Sequence, residues 1–179
     1  MAVPRRPKKL GRDALWEYAL RSLGLSAQSA NELRQKLSRR AESRDDVEAV
    51  MAKLREYGFA DDQKFSEGFA ASRLQNRGFG RLRVERELRA KRVPGAIAGK
   101  AVEKAFAGSE EPELIRRFLE KKYRGKDLHE FLKEEKNLAS AYRKLQTAGF
   151  TRSGALSALK QYLARSKDWN DFEEEESIP

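Results

Sequence analysis

The sequence contains no cysteine among its 179 residues, and it has only one histidine, five prolines and two tryptophans. Without cysteine, disulfide bonds and thiolate metal sites are excluded. No apolar run approaches the roughly 18 residues that a membrane-spanning helix needs, and residues 1–10 lack the apolar core of a signal peptide. We therefore expect a soluble, cytoplasmic protein that has no membrane segment, no metal and no cofactor.

Charge is abundant by contrast. Charged residues make up 37% of the chain, and the net charge is +10. This excess favours a polyanionic partner, because nucleic acids and anionic membrane surfaces both attract cations. From residue 166 the sign reverses, with four consecutive glutamates at 173–176. We expect this acidic tail (residues 166–179) to be disordered, as we do the basic N-terminal segment, residues 1–11.

One pattern recurs three times along the chain. A charged helical stretch closes on a leucine, and a turn and a second amphipathic stretch follow; the closing leucines are Leu37, Leu88 and Leu145. Because a further helical segment precedes each copy, the sequence predicts an all-α protein, built as an elongated array of three tandem three-helix repeats. Such an array offers a long surface rather than a pocket. The predicted repeats span residues 12–60, 61–108 and 109–165.

Capping and breaking residues predict where individual helices begin and end. Ser29 and Glu32 form an S-x-x-E capping box, and Ser43 precedes the next helix in the same way. Asp61 and Asp62 can either cap a helix or bind a hard cation, and capping is the more economical interpretation. Prolines predict two further helix starts, at Pro94 and Pro112. Glycines predict helix stops at Gly24, Gly58, Gly78 and Gly149.

The residue types of an active site are scarce. The only histidine, His129, lies in a polar insertion that contains one short predicted helix, around Leu128 to Leu132. We expect ordinary solvation for His129, because a general base needs an orienting partner. There is no G-x-x-x-x-G-K-[ST] loop to support nucleotide hydrolysis. The sequence therefore predicts a protein that is not an enzyme.

A glycine-rich turn leaves two alternatives open. In Gly78-Phe79-Gly80 the glycines can free backbone amides at a helix N-terminus, and Arg81 and Arg83 follow directly. Amides and arginines in this arrangement suit a phosphate. A bare G-x-G is also found in plain turns between helices, with the arginines in solvent.

Two clusters of basic residues are the candidate sites for binding a nucleic acid. The first, residues 81–92, has six basic and two acidic side chains; the second lies in residues 116–126. The alternative for the first cluster is a solvated helix face, since Glu85 and Glu87 have basic partners four residues away. The candidates are Arg81, Arg83, Arg86, Arg89, Arg92, Arg116, Arg117, Lys121, Lys122 and Arg124.

The aromatic residues favour core packing over base stacking. Four of them fall on apolar stripes of predicted helices: Phe65, Phe69, Phe118 and Tyr142. Trp169 and Phe172 differ, because they lie among acids in the acidic tail. They can dock on the third repeat or on a partner, and the sequence does not choose.

Motifs in all three repeats together form a recognisable pattern. In the second repeat they are Gly58-Phe59-Ala60-Asp61-Asp62, Phe65, Arg73, Gly78, Val84-Glu85-Arg86-Glu87-Leu88, Lys91 and Val93. In the first repeat they are Ala14, Tyr18, Leu20, Ser29, Glu32, Leu33 and Leu37, and in the third Leu145 with Gly149-Phe150. This pattern resembles the RecX family, the bacterial modulators of the RecA recombinase. The family usually has a glycine after the lysine that follows the second helix of a repeat. Here Arg92 takes that place, and Ala41 or its neighbour the equivalent place in the first repeat.

The resemblance implies a non-enzymatic regulator. Such a protein binds in the groove of the RecA–DNA filament and restrains ATP hydrolysis, strand exchange and coprotease activity. The implied partners are the RecA filament and single- and double-stranded DNA without sequence specificity, and we expect a monomer. Two alternatives remain: a sequence-independent nucleic-acid-binding helical module that acts without RecA, and a helical scaffold whose charge serves only solubility.

Overall fold

The computed structural model describes residues 9–164, and these residues form ten α-helices and one π-helical turn. The helices of the first half are α1 Arg12–Leu25, α2 Ala30–Arg40, α3 Arg44–Glu56, α4 Asp62–Ser72 and α5 Arg81–Ala90, with the π-helical turn Arg73–Arg77 after α4. The others are α6 Gly95–Ala105, α7 Glu111–Lys122, α8 Leu128–Leu132, α9 Glu135–Ala148 and α10 Arg152–Leu163. Within these residues there is no β-strand, only one isolated parallel bridge between Leu10 and Ala41. The all-α helical repeat prediction is confirmed.

The predicted helix starts are present as hydrogen-bonded caps. Ser29 Oγ accepts from the Glu32 amide at 3.1 Å, and the Glu32 carboxylate accepts from the Ser29 amide at 3.3 Å, which completes the capping box of α2. Ser43 Oγ accepts from the backbone amide three residues later and caps α3. Asp61 caps α4, since its Oδ1 accepts from the amides of Gln63 and Lys64.

Three of the four glycine stops are confirmed, because Gly58, Gly78 and Gly149 adopt the left-handed φ that closes a helix. The prediction for Gly24 is wrong. Helix α1 continues through Gly24 to Leu25 and ends in the extended residue Ser26. A helix tolerates an internal glycine at a cost of about 1 kcal/mol, so a glycine alone does not end it.

Arg92 closes α5 in an unusual way. It has a φ of 61°, and it is the only non-glycine residue with positive φ among the described residues. Its amide donates to the Arg89 carbonyl at 2.8 Å, and its carbonyl accepts from Asn31 Nδ2 at 2.8 Å. With the Gln35 amide oriented to face it, the Arg92 guanidinium donates to the Gln35 oxygen at 2.7 and 3.1 Å. An arginine held by side chains of α2 thus takes the left-handed place of a glycine.

The described residues group into two compact units. The first unit comprises residues up to 69 together with residues 87–101, and the second comprises residues 70–86 together with those from 102 onward. In the first unit, α1, α2 and α3 enclose a core that includes Leu15, Leu37 and Met51, all with 0% exposure. The buried Ser29 forms a further hydrogen bond within this unit, in which its hydroxyl donates to the Lys91 carbonyl.

The second unit contains the larger apolar cluster. Helix α10 packs against α7, α8 and α9, and the core side chains between them include Ile115, Leu119, Leu145, Phe150 and Leu159. The apolar residues predicted in this part of the chain behave as expected: Tyr142 is buried, and Phe118 is half-buried against the cluster. This core fixes the faces that α7 and α9 turn outward.

Two aromatic residues of the first unit, Phe65 and Phe69, are half-buried rather than fully enclosed. Their ring centroids are 5.8 Å apart, and the Lys91 ammonium lies 5.9 and 5.7 Å from them. The two rings therefore lie near the ammonium of a lysine that also pairs with Glu32 at 3.2 Å. Trp169, Phe172 and the rest of the acidic tail lie outside the described residues, as do residues 1–8.

Candidate nucleic-acid interface

An open cleft of about 720 Å³ in the second unit gathers basic side chains from four places in the sequence. We call it the basic groove. Its lining comprises Asn76, Arg77, Phe79, Arg83, Phe118, Lys121, Lys122, Ser140, Arg143, Lys144, Thr147 and Ala148. Six of these residues are cationic and none is acidic, so the groove concentrates positive potential.

The helices position these cations because their other faces are committed to the core. On α7, Ile115 and Leu119 are fully buried, which turns Lys121 and Lys122 outward at its C-terminal end. On α9, Leu138, Tyr142 and Leu145 are buried, so the neighbouring basic residues emerge on the opposite side. Those residues are Arg143 and Lys144.

Two of the groove cations donate hydrogen bonds to neutral groups. Lys121 Nζ donates to the Asn76 carbonyl at 3.0 Å, and Lys144 Nζ donates to the Tyr123 hydroxyl at 3.1 Å. Such bonds orient the ammonium groups without cancelling their charge, whereas a carboxylate partner would. Lys121, Lys122, Arg143 and Arg77 are exposed to solvent.

Aromatic side chains form part of the groove wall. Phe79 and Phe118 are half-buried, and the Arg83 guanidinium carbon lies 3.6 Å from the Phe79 ring centroid. Arg83 also donates to the Thr147 carbonyl at 3.2 Å. The ring and the carbonyl together fix the orientation of the Arg83 guanidinium in the groove wall.

The glycine turn before α5 packs against the end of α9. The Gly80 amide donates to the Ala148 carbonyl at 2.8 Å, and the Leu82 amide donates to the Gly149 carbonyl at 3.2 Å. A Cβ on Gly80 would overlap the Gly149 carbonyl, so only glycine permits this approach. The amides of Gly80 and Leu82 therefore already have acceptors within the fold.

Of the ten candidate residues, the basic groove brings together three: Arg83, Lys121 and Lys122. Arg81 lies outside the lining, where its guanidinium donates to the Phe106 carbonyl at 3.1 Å. Exposed positions outside the groove lining are taken by Arg86, Arg89, Arg92 and Arg124.

Arg116 and Arg117 also lie outside the groove, and both pair with Glu113. Arg116 bonds the Glu113 carboxylate twice at 2.8 Å and contacts Glu120 at 2.6 Å, and Arg117 donates to Glu113 at 2.8 Å. Hydrogen bonds from Arg116 and then Arg117 lower the pKa of Glu113 from 4.5 to about 2. The spacing of three and four residues was a visible signal for this pairing.

Three groove residues were missed from the sequence: Arg77, Arg143 and Lys144. Arg77 ends the π-helical turn. Arg143 and Lys144 lie on α9, far along the sequence from the cluster at residues 81–92. The spacing of the apolar residues along α9 does indicate that Arg143 and Lys144 face away from its apolar stripe. It does not indicate that they meet α5 and α7.

His129 has a structural partner. Its Nδ1 lies 2.6 Å from the Tyr162 carbonyl, which ties the short helix α8 to α10. The side chain is 31% exposed, so the expectation of ordinary solvation is corrected. Asp62 also has a partner within the protein, because its Oδ1 accepts a hydrogen bond from the Ala30 amide at 2.8 Å.

Two further properties concern only residues 9–164. No helix in this part of the chain is long and apolar enough to cross a bilayer. No group of three or more histidine, aspartate or glutamate side chains in it is placed to hold a metal ion.

Two family models match the chain. One describes the first three-helix domain of RecX and matches residues 16–62, and the other describes the second three-helix domain and matches residues 61–102. Both matched ranges lie N-terminal to α7 and α9. Most of the basic groove therefore belongs to a part of the chain outside these two ranges.

Curated relatives and a solved structure agree with these matches. The regulatory protein RecX of Deinococcus radiodurans is 42% identical over 88 residues, which cover 48% of this chain and 41% of that protein. The regulatory protein RecX of Vibrio vulnificus is 34% identical over 124 residues, which cover 67% of this chain and 74% of that protein. A crystal structure of RecX from Lactobacillus salivarius matches with a TM-score of 0.63 at 16% identity, covering 86% of this chain and 97% of that one, and supports the fold.

The coverage of the relatives varies. The chain spans between 41% and 65% of the length of four curated RecX proteins, including the one from Deinococcus radiodurans. The Vibrio protein is matched over 74% of its length, and both RecX domain models match in the expected order. The chain belongs to the RecX family of regulatory proteins.

Proposed function

We propose that this protein is a non-enzymatic modulator of the RecA recombinase, and mainly an inhibitor. It binds in the groove of the RecA–DNA filament and restrains ATP hydrolysis, strand exchange and coprotease activity. It acts in the cytoplasm as a monomer and needs no cofactor. The observation that supports this proposal most directly is a cleft lined by six cations and no carboxylate in a member of the RecX family.

The basic groove is the part of the molecule that contacts the nucleic acid of the filament. Lysine and arginine side chains that reach phosphates supply affinity without sequence information, since sequence is read at base edges. The lining offers long cationic side chains from α5, α7 and α9, and its aromatic residues are half-buried in the wall. We therefore expect binding to single- and double-stranded DNA with no sequence preference.

The number of groove cations bounds the salt dependence. If four to six of them each neutralise one phosphate of single-stranded DNA, log–log plots of affinity against salt should have a slope of about −3 to −4. Arg116 and Arg117 should contribute little to this slope, because Glu113 holds them in ion pairs.

A titration of RecA ATPase activity on single-stranded DNA tests the proposal. The expected result is inhibition at protein concentrations well below those that coat the DNA. The reason is that the modulator acts by binding the RecA–DNA filament and does not have to cover free DNA. The matched control is a protein-free titration with a salt solution of equal ionic strength. Inhibition that always requires saturation of the free DNA would contradict the proposal.

The same groove also favours the second candidate function, a nucleic-acid-binding module that acts without RecA. The two functions differ in their dependence on the filament. Binding to naked DNA that is as tight as binding to the RecA–DNA filament, measured by anisotropy at one salt concentration, supports the module. Weak affinity for naked DNA together with strong dependence on RecA eliminates it.

A further inference from the structure

The basic groove lacks any acidic side chain, although the same chain has a concentrated acidic stretch. Residues 168–176 contain six acidic side chains and no basic one. They also contain two aromatic residues, Trp169 and Phe172. The groove pairs six cations with the rings of Phe79 and Phe118, so the two compositions complement each other in charge and in aromatic content.

We propose that the basic groove is a docking site for the acidic tail of the same chain, which competes there with nucleic acid. The docking itself is independent of RecA, whereas the competition rests on the proposed function of the groove. The acidic side chains occupy the positions of phosphates, and the aromatic residues contact the half-buried rings of the groove wall.

The chain has enough length for this contact. Helix α10 ends at Leu163, which is buried in the core of the second unit. An extended chain spans at most about 3.3–3.6 Å per residue, so Asp168 can lie roughly 14 Å from Ala164 and Glu176 roughly 40 Å from it. The glutamates at 173–176, which are 9 to 12 residues beyond Ala164, therefore have a reach of roughly 30–40 Å.

The end of α10 also lies beside a helix that lines the groove. Tyr162 shares a small cleft with Glu113 and Arg116 of α7. Lys121 is five residues further along the same helix, which is a rise of about 7.5 Å. The groove face of α7 is on the far side of this helix, and its diameter of about 10–12 Å is short compared with the reach of the tail.

A tethered segment competes well even when its own affinity is low. A short flexible linker holds a segment at an effective concentration of about 1 mM. With an intrinsic dissociation constant of about 0.1 mM, the tail would fill the groove about nine-tenths of the time and weaken nucleic-acid binding about tenfold. Salt screens the charges, so the competition should fade as the ionic strength rises.

The fluorescence of Trp169 tests the docking without nucleic acid or RecA. The difference between the full chain and the W169F variant isolates the emission of Trp169, since Trp16 is the only other tryptophan. We expect Trp169 fluorescence to be protected from quenching by acrylamide at low salt. At high salt it should become accessible to the quencher. In a Lys122→Glu/Arg143→Glu variant it should be accessible at both salt concentrations.

The control variant is Lys104→Glu/Lys136→Glu, which makes the same change of charge at exposed positions of the second unit outside the groove lining. It should keep the protection of Trp169. Equal quenching in the full chain and in the groove variant would overturn the docking. Protection that increases with protein concentration would place the tail on a second copy and would also overturn the contact within one chain.

Neutralising the tail tests the competition. An E173Q/E174Q/E175Q/E176Q variant of the full chain should bind single-stranded DNA about tenfold more tightly at low salt, with the two affinities converging at high salt. An unchanged affinity would overturn the competition. The Trp169 measurement contains no DNA, so a failed docking and a failed DNA-binding groove give different results.

Discussion

Gly80 and Gly149 lie in direct backbone contact in the second unit, where the turn before α5 meets the end of α9. A Cβ on Gly80 would overlap the Gly149 carbonyl, and a Cβ on Gly149 would overlap the backbone of Arg83. Gly149 has in addition a φ of 88°. This contact sets the distance between two helices that supply cations to the basic groove.

A Gly149→Ala substitution should therefore destabilise the protein. Left-handed strain and overpacking against the Arg83 backbone together cost about 3 kcal/mol. The control is Gly68→Ala in α4, where nothing lies within 4 Å of the added Cβ. Because alanine is the better helix former, Gly68→Ala should stabilise by about 0.5–1 kcal/mol. Urea unfolding of both variants measures the two changes, and equal effects would contradict the close packing.

Arg92 allows a second test, because its φ of 61° is a conformation that favours glycine. Arg92→Gly and Arg92→Ala both remove the guanidinium that contacts Gln35, so they differ only in the backbone. We expect the glycine variant to be more stable than the alanine variant by about 1 kcal/mol. Equal unfolding free energies in chemical denaturation would show that position 92 is not strained.

The two serine caps should differ in their contributions to stability. Ser29 is fully buried and also donates to the Lys91 carbonyl, whereas Ser43 caps α3 near the surface. Ser29→Ala should cost about 2–3 kcal/mol, because it removes a cap and a buried hydrogen bond. Ser43→Ala should cost about 1 kcal/mol. Thermal unfolding of the two variants checks the order, and a larger loss at Ser43 would contradict it.

Glu113 should give the protein a pH-dependent stability. Its pKa in the folded protein is about 2, below the ordinary value of 4.5, because Arg116 and Arg117 bond its carboxylate. A lowered pKa means that the contribution is complete above pH 4.5 and is lost as the pH falls toward 2. The melting temperature of the full chain should therefore exceed that of Glu113→Gln at pH 7, and the difference should shrink between pH 4.5 and 2. A difference that is constant with pH would contradict the pairing.

The sequence predicted much of the fold because the signals for helix ends are local. The Ser29 capping box, the Gly149 stop and the short helix at residues 128–132 each depend on a few neighbouring residues. One exception is Gly24, because a single glycine does not end a helix and α1 continues to the exposed Leu25. Arg92 is a second exception, since contacts from Asn31 and Gln35 hold an arginine in the place of a glycine.

The candidate site was only partly predictable, because it forms through tertiary contacts. Local charge density identified Arg83 and Lys121, which do line the basic groove. It also selected Arg116, which a glutamate three residues earlier neutralises. Arg143 and Lys144 were not selected, because only the core that α7, α9 and α10 share and the contact of α9 with the turn before α5 bring them to the groove.

Inhibition of RecA ATPase by groove variants tests the central claim most directly. The comparison is Lys122→Gln/Arg143→Gln, which removes two groove cations, against Lys104→Gln/Lys136→Gln, which removes two cations elsewhere on the same unit. The account predicts that the half-inhibiting concentration rises about tenfold or more for the groove variant, since two lost charge-assisted contacts are worth on the order of 1.4 kcal/mol or more. The control should stay close to the unmodified protein. Equal inhibition by both variants would contradict the assignment of the basic groove to the nucleic acid of the filament.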